Sequence, residues 1–520
     1  MANPAPGVNV NIVSAASNPS NQASTSTWFA LGMAAGPAGV AVPIRSTNDF
    51  TNYFGRIVSG GLTGRYTINA QVSSTMLYDS LDVFFREGGS MAWVSRVNAA
   101  TSVAAASTPG ILAGDGGNIQ LNALGGGTWA NSSSSSAAGL ILTINGYTVG
   151  AATVYGATIA YNGVIMASAS GLGSDADVVT WVNSLPSYQA MCTATLLTAT
   201  TILPASGASA SIYLVGGTDI AVADTDTPAA LAVFTDLFGP GQISYPGNTS
   251  EVTYQDLTNH GAQFNRVAIL DAVNTATAAT LETAASTTQT TVADPSYGAL
   301  FGPWLIVPGI VNSNPAIPTS TVFNRIVPPS ALVAAKMCVM DATNDANVPA
   351  AGTLNGASSY AIGVTQVYSN ADRGALDAAG VNVIRMVPGI NVVAIYGYTS
   401  LSFSQGWKSL GNVRMRMQIT RDLDAIGETF IFQEIDGKGH LLAAFAGALS
   451  GQLNAYWLRG SLYGLTAGQA FSVNTGPAVN TPATIAAGQL NASVSLKMSP
   501  YAEFVTINIT KYMPNVPLPA

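Results

Sequence analysis

The chain has 520 residues, of which 48% are apolar and only 8% are charged, and its net charge is −8. Because it carries only 18 Lys and Arg residues, we expect no basic stripe for direct nucleic-acid binding. No uninterrupted apolar run of about 18 residues occurs, so we expect no membrane insertion. A surface with so little charge repels neighbouring copies weakly, which favours self-assembly. A halotolerant or merely alanine-rich enzyme would have a similar composition.

Residues 1–24 are predicted to form an N-terminal arm and a linker. Val8, Val10 and Ile12 alternate with their neighbours in the period-two pattern of a strand with one buried face. Such a strand can add to an open sheet edge of a neighbouring subunit. Burying the three side chains there contributes roughly 5–9 kcal/mol, whereas ordering about six residues costs roughly 6–12 kcal/mol. Since backbone pairing adds only about 1 kcal/mol per hydrogen bond, one arm alone binds weakly.

Residues 25–98 are predicted to be the first part of an α/β domain. A buried strand over Thr25–Met33 is followed by a short helix from Asn48 to Gly55. Apolar residues from Val72 to Phe85 then recur at helical spacing, and Gly88 and the glycine after it end that helix. A second strand is predicted over Met91–Val97.

Residues 99–211 are predicted to be an inserted, mainly β domain on the surface of the assembly. The segment is dense in Ala, Gly, Ser and Thr, and Leu140–Val149 is a strand candidate within it. One helix is expected around residues 175–185. The run Ser132–Ser136 is typical of a solvated loop.

Residues 212–379 are predicted to continue the α/β domain. A helix is expected to begin at Thr227-Pro228, which gives N-cap and first-turn signals. Further helices are expected over residues 250–263 and 274–291. Strands are predicted at Ile212–Gly217, Gln242–Tyr245, Arg266–Leu270 and Phe301–Val307. Because strands and helices alternate, we expect a mostly parallel sheet.

Residues 380–512 are predicted to be a C-terminal α+β domain ending in a terminal strand, with a tail at 513–520. Its predicted elements are helices near 413–426 and 439–457, strands at 429–433 and 470–473, and a hairpin of 492–497 with 503–510. In the last predicted strand, Val505, Ile507 and Ile509 alternate with polar residues, so we expect this strand to form a second arm. The whole is predicted to be an α/β and α+β multidomain protein with a mixed-sheet core.

Residues that could carry chemistry are few. His260 and His440 are the only histidines and have no neighbouring Cys, so we expect no metal site, and we expect no cofactor. Cys192 and Cys338 are predicted to be buried free thiols. The acidic residues of 341–347 faintly resemble a calcium loop, but Ala346 stands where such a loop needs glycine, so we predict a turn. The N-terminus lacks the pattern of a secretion signal, so we expect no such export.

The densest charge cluster contains Arg414, Arg416 and Arg421 together with two aspartates. We interpret it as the solvated face of a helix. Contact of these arginines with a partner is the alternative.

Several sequence blocks resemble those of contractile phage tail sheath proteins. The central blocks are Ser296–Trp304, Val327–Ser330 and Gly380–Arg385. Pro6-Gly7-Val8 resembles the family's N-terminal arm, residues 25–27 with 48–55 resemble its first domain, and Glu503-Phe504-Val505 stands where its terminal strand does. The blocks occur in the family's order. Because Lys and Arg are scarce here, charged contacts of relatives cannot be transferred to this chain.

The resemblance implies a sheath that polymerises as stacked rings around an inner tail tube protein, with baseplate and tail terminator proteins as further partners. It implies assembly in the host cytoplasm, a place in the virion tail, and contraction that drives the tube through a cell envelope. A sheath of a phage-derived injection particle or bacteriocin is equally compatible. An α/β surface hydrolase using Ile212–Asp271 is the alternative from another class, although no G-x-S-x-G motif is present. A surface-layer or adhesin subunit is a third alternative.

Overall fold

The computed structural model describes residues 27–58, 61–65, 76–107, 110–112, 115–197, 203–309 and 324–503. The chain divides into two units, Met1–Glu428 and Thr429–Ala520. The arm strands predicted at residues 8–12 and 505–509 lie outside the described residues, and so they stay predictions.

The first segment, residues 27–97, alternates strands and helices as predicted. Its elements are β1 (Trp28–Gly32), β2 (Ala41–Ile44), α1 (Thr47–Phe54), β3 (Arg56–Val58), β4 (Gly61–Thr63), α2 (Met76–Arg86) and β5 (Ala92–Arg96). The Ser46 hydroxyl caps α1 by accepting the backbone N–H of Asp49 at 3.0 Å. After α2, Gly88 has φ +100°, a conformation that favours glycine, so the predicted helix stop is confirmed.

The second segment folds into a separate β sheet. Its elements are β6 (Ala106–Ser107), β7 (Gly110–Leu112), β8 (Asp115–Gly117), β9 (Ile119–Ala123), β10 (Leu140–Val149), β11 (Ala152–Tyr161), β12 (Val164–Leu172), α3 (Asp175–Ser184), β13 (Cys192–Leu196) and β14 (Ser209–Val215). Seven of these strands form one antiparallel sheet in the order β12-β11-β10-β14-β6-β9-β13. The predicted strand Leu140–Val149 and the predicted helix are confirmed.

The sheet assignment of Ile212–Gly217 was wrong. A strand forms there, but as β14 it pairs with β10, in the register Leu142 to Ile212, and not with the α/β strands. The alternating pattern of Ala210, Ile212 and Leu214 predicts a strand with one buried face. It does not show against which of the two sheets that face packs. This moves the end of the β segment from residue 211 to about 217.

The third segment completes the first unit. Its elements are α4 (Thr227–Leu231), β15 (Gly241–Ser244), α5 (Glu251–Phe264), β16 (Arg266–Asp271), α6 (Ala278–Thr291), β17 (Gly298–Gly302), β18 (Leu305–Val307), β19 (Arg325–Val327), α7 (Ser330–Thr343), α8 (Gly352–Asn355), β20 (Gly363–Val364), α9 (Asn370–Ala378), β21 (Val381–Val387), β22 (Val392–Ile395), α10 (Gln405–Lys408) and α11 (Leu410–Glu428). The central sheet has the order β2-β5-β1-β15-β16-β17-β21-β22. Its six inner strands are parallel and its two edge strands antiparallel, which confirms the predicted mostly parallel sheet.

Both faces of the central sheet are covered. In β1, Trp28 and Ala30 lie in one apolar cluster, while Phe29 and Leu31 lie in another. Every residue of β1 is buried, as expected for a strand of a parallel sheet packed on both sides. The sheet therefore forms the rigid centre of the first unit.

Two predicted boundaries in this segment were wrong. Phe301–Val307 is not one strand, because β17 belongs to the central sheet and β18 pairs with β19 and β20 in a small separate sheet. The change of direction falls at Gly302-Pro303, where proline cannot donate to a ladder. The predicted domain start at residue 380 also differs, since β21 and β22 complete the central sheet and the second unit begins at Thr429.

The second unit contains α12 (His440–Leu458), α13 (Ala467–Ala470), β23 (Phe471–Asn474), α14 (Pro482–Ala486) and β24 (Ser493–Leu496). The predictions of α12 and β23 are confirmed. The strand predicted at Thr429–Gln433 was wrong: this stretch forms turns, and Phe432 has φ +62°. A positive φ at a non-glycine residue is incompatible with a regular strand.

Candidate assembly surface

The second unit contains a small sheet that has two strands in the described part of the chain. β23 and β24 pair antiparallel, with Phe471 opposite Leu496 and Val473 opposite Val494. Within the described residues this sheet has only two strands. A two-stranded sheet is marginally stable by itself, whereas a third strand or a packed helix makes it stable. An edge strand with unpaired N–H and C=O groups can accept a further strand.

The helix α12 supports this sheet. Its buried residues recur every fourth position, at Leu441, Phe445, Leu449 and Leu453, so that one face of the helix forms the core of the unit. β23 lies beside this helix. The helix therefore packs beside the sheet and supports it.

Several large apolar side chains of the second unit are exposed. Phe432 and Leu465 are 89% and 91% exposed, and Leu458 and Tyr463 are also mostly exposed. Exposed apolar groups that form one contiguous patch mark surfaces that contact other proteins. They lie in the same unit as the two-stranded sheet, so this unit is the candidate assembly surface.

The arginine cluster of α11 has a different role from the one predicted. Arg414 is 1% exposed, pairs with the Asp341 carboxylate and donates to the Tyr398 hydroxyl at 2.8 Å. This pair joins α11 to α7. The interpretation of Arg414 as part of a solvated or partner-binding face was wrong.

Arg416 is buried as well. Its guanidinium stacks at 4.5 Å from the Tyr297 ring centroid and 4.6 Å from that of Trp407, and it lies 3.6 Å from the Asp294 carboxylate. The solvated interpretation was wrong here too. Arg421 is half-buried on the same helix, and its contact with a partner stays a prediction.

The burial of these arginines could have been predicted from the residues that flank them in the sequence. Val413, Met415, Met417 and Ile419 interleave with them and are all buried. When apolar residues surround a helix, both of its sides are covered, and a charge between them needs an internal partner.

A second buried charge cluster was not predicted. Arg325 of β19 bridges Asp79 and Asp82 of α2, at 2.8 and 2.7 Å. The spacing of three between the aspartates places both on one helix face and was the available signal. The cluster ties the first helical layer to the small sheet of β18, β19 and β20.

Comparisons with solved structures decide the fold. A chain of the anti-feeding prophage (AFP) baseplate, determined by cryo-EM, matches with a TM-score of 0.54 and 15% identity, over 98% of this chain and 100% of that chain. The sheath tail protein from Listeria innocua matches with a TM-score of 0.53 and 15% identity, over 89% and 90%. The AFP helical sheath in its contracted state matches with a TM-score of 0.51 and 15% identity, over 98% and 99%. The chain has the fold of tail sheath proteins. No protein-family model and no curated protein matches by sequence.

The structure divides the segment that was considered for a hydrolase. The segment proposed for it, Ile212–Asp271, is divided between two sheets, with β14 in one and β15 and β16 in the other. The solved structures that share the fold over nearly the whole chain include a sheath tail protein and a helical sheath.

The remaining candidate residues of this sheath fold have structural contacts. Cys192 and Cys338 are buried free thiols, which confirms the prediction. A turn forms at Asp345, whose carbonyl accepts the N–H of Val348 at 3.2 Å. In the part of the chain that the structure describes, no cluster of three or more His, Cys, Asp or Glu residues could hold a metal. None of the helices described combines the length and apolar character that a membrane crossing requires.

His260 is a buried neutral acceptor. Arg266 Nη1 donates to its Nε2 at 2.9 Å, and the imidazole is 7% exposed. Burial and then the charge of Arg266 lower the pKa of His260 to about 3. The ring therefore stays uncharged well below neutral pH.

This lowered pKa gives an expected pH dependence. The unfolded chain, with a histidine pKa of about 6.5, binds a proton that the folded chain does not bind until about pH 3. The stabilisation is thus present above pH 6.5 and is lost as the pH falls. Between about pH 6.5 and 5, the free energy of unfolding of the wild type should fall by about 1–2 kcal/mol more than that of His260→Gln, measured by urea unfolding. The His440→Gln variant, which keeps His260, should fall as the wild type does; equal declines in all three proteins would contradict the expectation.

Proposed function

We propose that this chain is the structural subunit of a contractile sheath, which polymerises helically around an inner tube and contracts to drive the tube through a cell envelope. The observation that carries the proposal is the shared fold over 98% of the chain with a protein of the AFP baseplate and with the AFP helical sheath in its contracted state. The partners are other copies of the chain, the inner tail tube protein, and baseplate and tail terminator proteins. Phage tails and related injection particles are both compatible with this support.

In this proposal the arms join the subunits. The N-terminal strand with Val8, Val10 and Ile12 and the terminal strand with Val505, Ile507 and Ile509 add to the edges of β23 and β24 in neighbouring copies. The added strands would complete a sheet that has two strands in the described part of the chain. Because the linker of residues 14–24 is polar, subunits can rotate and slide while the strands stay paired. The arms are hinges, and the force comes from the body contacts.

Electron microscopy tests this function. The purified chain, alone and co-expressed with its neighbouring tail genes, is examined by negative staining. Hollow striated cylinders are the expected result, at least in the co-expressed sample. Dispersed monomers in both samples would contradict the proposal.

We further propose that the β segment, residues 99–217, is an insertion that takes no part in the contacts of the sheath lattice. Its two ends meet, since the Thr218 N–H donates to the carbonyl of Val103 at 3.1 Å and Ala99 lies one turn before Val103. A chain that enters and leaves at one place can be shortened there without moving the rest.

Deletion of the whole β segment should therefore spare assembly. A variant lacking residues 100–217, joined by a short Gly-Ser linker, is expected to form normal cylinders by electron microscopy. A matched deletion of 100–209 should aggregate, because it keeps β14 and exposes Ile212 and Leu214, which are buried in the intact sheet. A soluble 100–217 deletion that no longer assembles would show that the segment belongs to the lattice.

A further inference from the structure

The seven-stranded sheet has one face that its core does not use. Leu140, Leu142 and Ile144 of β10 point into the core, so the residues between them lie on the opposite face. We call this opposite face of β12, β11, β10 and β14 the outer face. Its side chains are half-buried or exposed, and Ile165 is 66% exposed.

Directly paired residues arrange this face in rows across the four strands. One row is apolar and consists of Ile165, Ala160, Ile141 and Tyr213. The adjacent row carries only hydroxyl groups and consists of Ser168, Thr158, Thr143 and Ser211. Since neighbouring strands are about 4.8 Å apart, each row is about 14 Å long.

Aromatic rings lie on both sides of the hydroxyl row. Tyr213 ends the apolar row, and Tyr147 lies beyond the hydroxyl row, where its ring would contact any side chain placed at Gly156. The Tyr147 hydroxyl accepts the N–H of Gly171 at 2.8 Å, which fixes this ring across β11 and β12. Thr143 and Ser211 share a hydrogen bond of 3.0 Å. These hydrogen bonds hold side chains of the outer face in place without a ligand.

The four strands that form the outer face contain no charged residue. From residue 97 to residue 265 the sequence contains no Lys or Arg, and residues 99–217 contain only three aspartates and no Glu. Asp175 is buried and accepts from Asn118 at 3.0 Å, Asp177 accepts from the N–H of Gly173, and Asp115 belongs to β8, outside this sheet. A charged polymer therefore finds no complementary group here.

We propose that the outer face binds a neutral carbohydrate that lies along the hydroxyl row between Tyr147 and Tyr213. Hydroxyl groups both donate and accept, which matches the hydroxyls of a sugar. Tyrosine rings offer an apolar face with a polar tip, which suits the alternating C–H and O–H surfaces of a sugar ring. Another protein chain fits less well, since Ser and Ala are depleted in protein interfaces, which prefer large anchors.

Binding of the full-length chain to a printed array tests this site. The array carries neutral glucans, mannans, galactans and N-acetylhexosamine oligomers, with sulfated and uronic-acid glycans for comparison. We expect binding to at least one neutral class, unchanged when NaCl rises from about 50 to about 500 mM, because no charge is screened. Thr158→Lys and Tyr213→Ala should each weaken it at least about tenfold.

Thr193→Lys is the matched control, since it adds the same charge at an exposed position of β13, three strands beyond β14. It should bind as the wild type does. Ser168→Lys, at an exposed position of the hydroxyl row, replaces Thr158→Lys if that variant does not fold. Absence of any neutral ligand, binding of acidic glycans only, self-association through this face without glycan binding, or equal loss with Thr193→Lys would overturn the proposal.

Discussion

Deleting residues 2–13 should leave a folded chain that no longer forms sheaths. The deletion removes Val8, Val10 and Ile12 and no described element of either unit. One arm contributes little net free energy, because the burial gain of roughly 5–9 kcal/mol is offset by a similar ordering cost. In a lattice every subunit loses its link at once, so a small loss per copy becomes a complete loss of assembly. Electron microscopy and sedimentation velocity measure the effect.

Point variants test whether assembly requires the apolar face of the predicted strand or only the length of the arm. Changing Val8, Val10 and Ile12 to Asn should abolish assembly as the deletion does. Changing Asn9 and Asn11 to Ser, on the opposite face of the predicted strand, should preserve it. Normal sheaths from the chain lacking residues 2–13 would exclude the arm as a link.

Replacing Arg414 with methionine should lower the free energy of unfolding by about 3–5 kcal/mol. The substitution removes the guanidinium that pairs with Asp341, whose side chain is 1% exposed. The carboxylate then stays buried without its counter-charge. Urea unfolding of the unassembled chain measures the loss.

A double variant and a surface control identify the cause. Arg414→Met with Asp341→Leu should lose less than the sum of the two single variants, because no buried charge is left unpaired. Arg45→Met makes the same change at an exposed position and should alter stability by less than about 0.5 kcal/mol. If Arg414→Met lowers the free energy of unfolding by as little as Arg45→Met, the pair of Arg414 and Asp341 does not stabilise the fold.

The sequence patterns that predicted elements correctly were local. α2 followed from the helical spacing of its apolar residues and from the glycine stop after it. The parallel sheet followed from the alternation of strands and helices. The resemblance to sheath proteins is confirmed at the level of the fold.

The predictions that were wrong concerned contacts between residues that lie far apart in the sequence. β14 and β18 were each found as strands or parts of strands, but their sheets were assigned wrongly, because pairing partners are chosen by packing far away in sequence. Arg414 and Arg416 were misread for a similar reason: their partners, Asp341 and Tyr297, come from other elements. The arms, which carry the proposed links, lie outside the described residues and remain predictions from the period-two pattern.

The position of β1 has a consequence for synthesis on the ribosome. β1 lies inside the central sheet between β5 and β15, and Trp28 Nε1 donates to Ser244 Oγ, 216 residues later in the chain. Translation proceeds at about 5–20 residues per second, so roughly 10–40 s pass between the synthesis of β1 and that of β15. During this time the edge of β1 that later pairs with β15 lacks this partner. The β segment, whose strands pair among themselves, is translated during this interval. Abundant chaperones during expression should therefore raise the soluble yield of this protein.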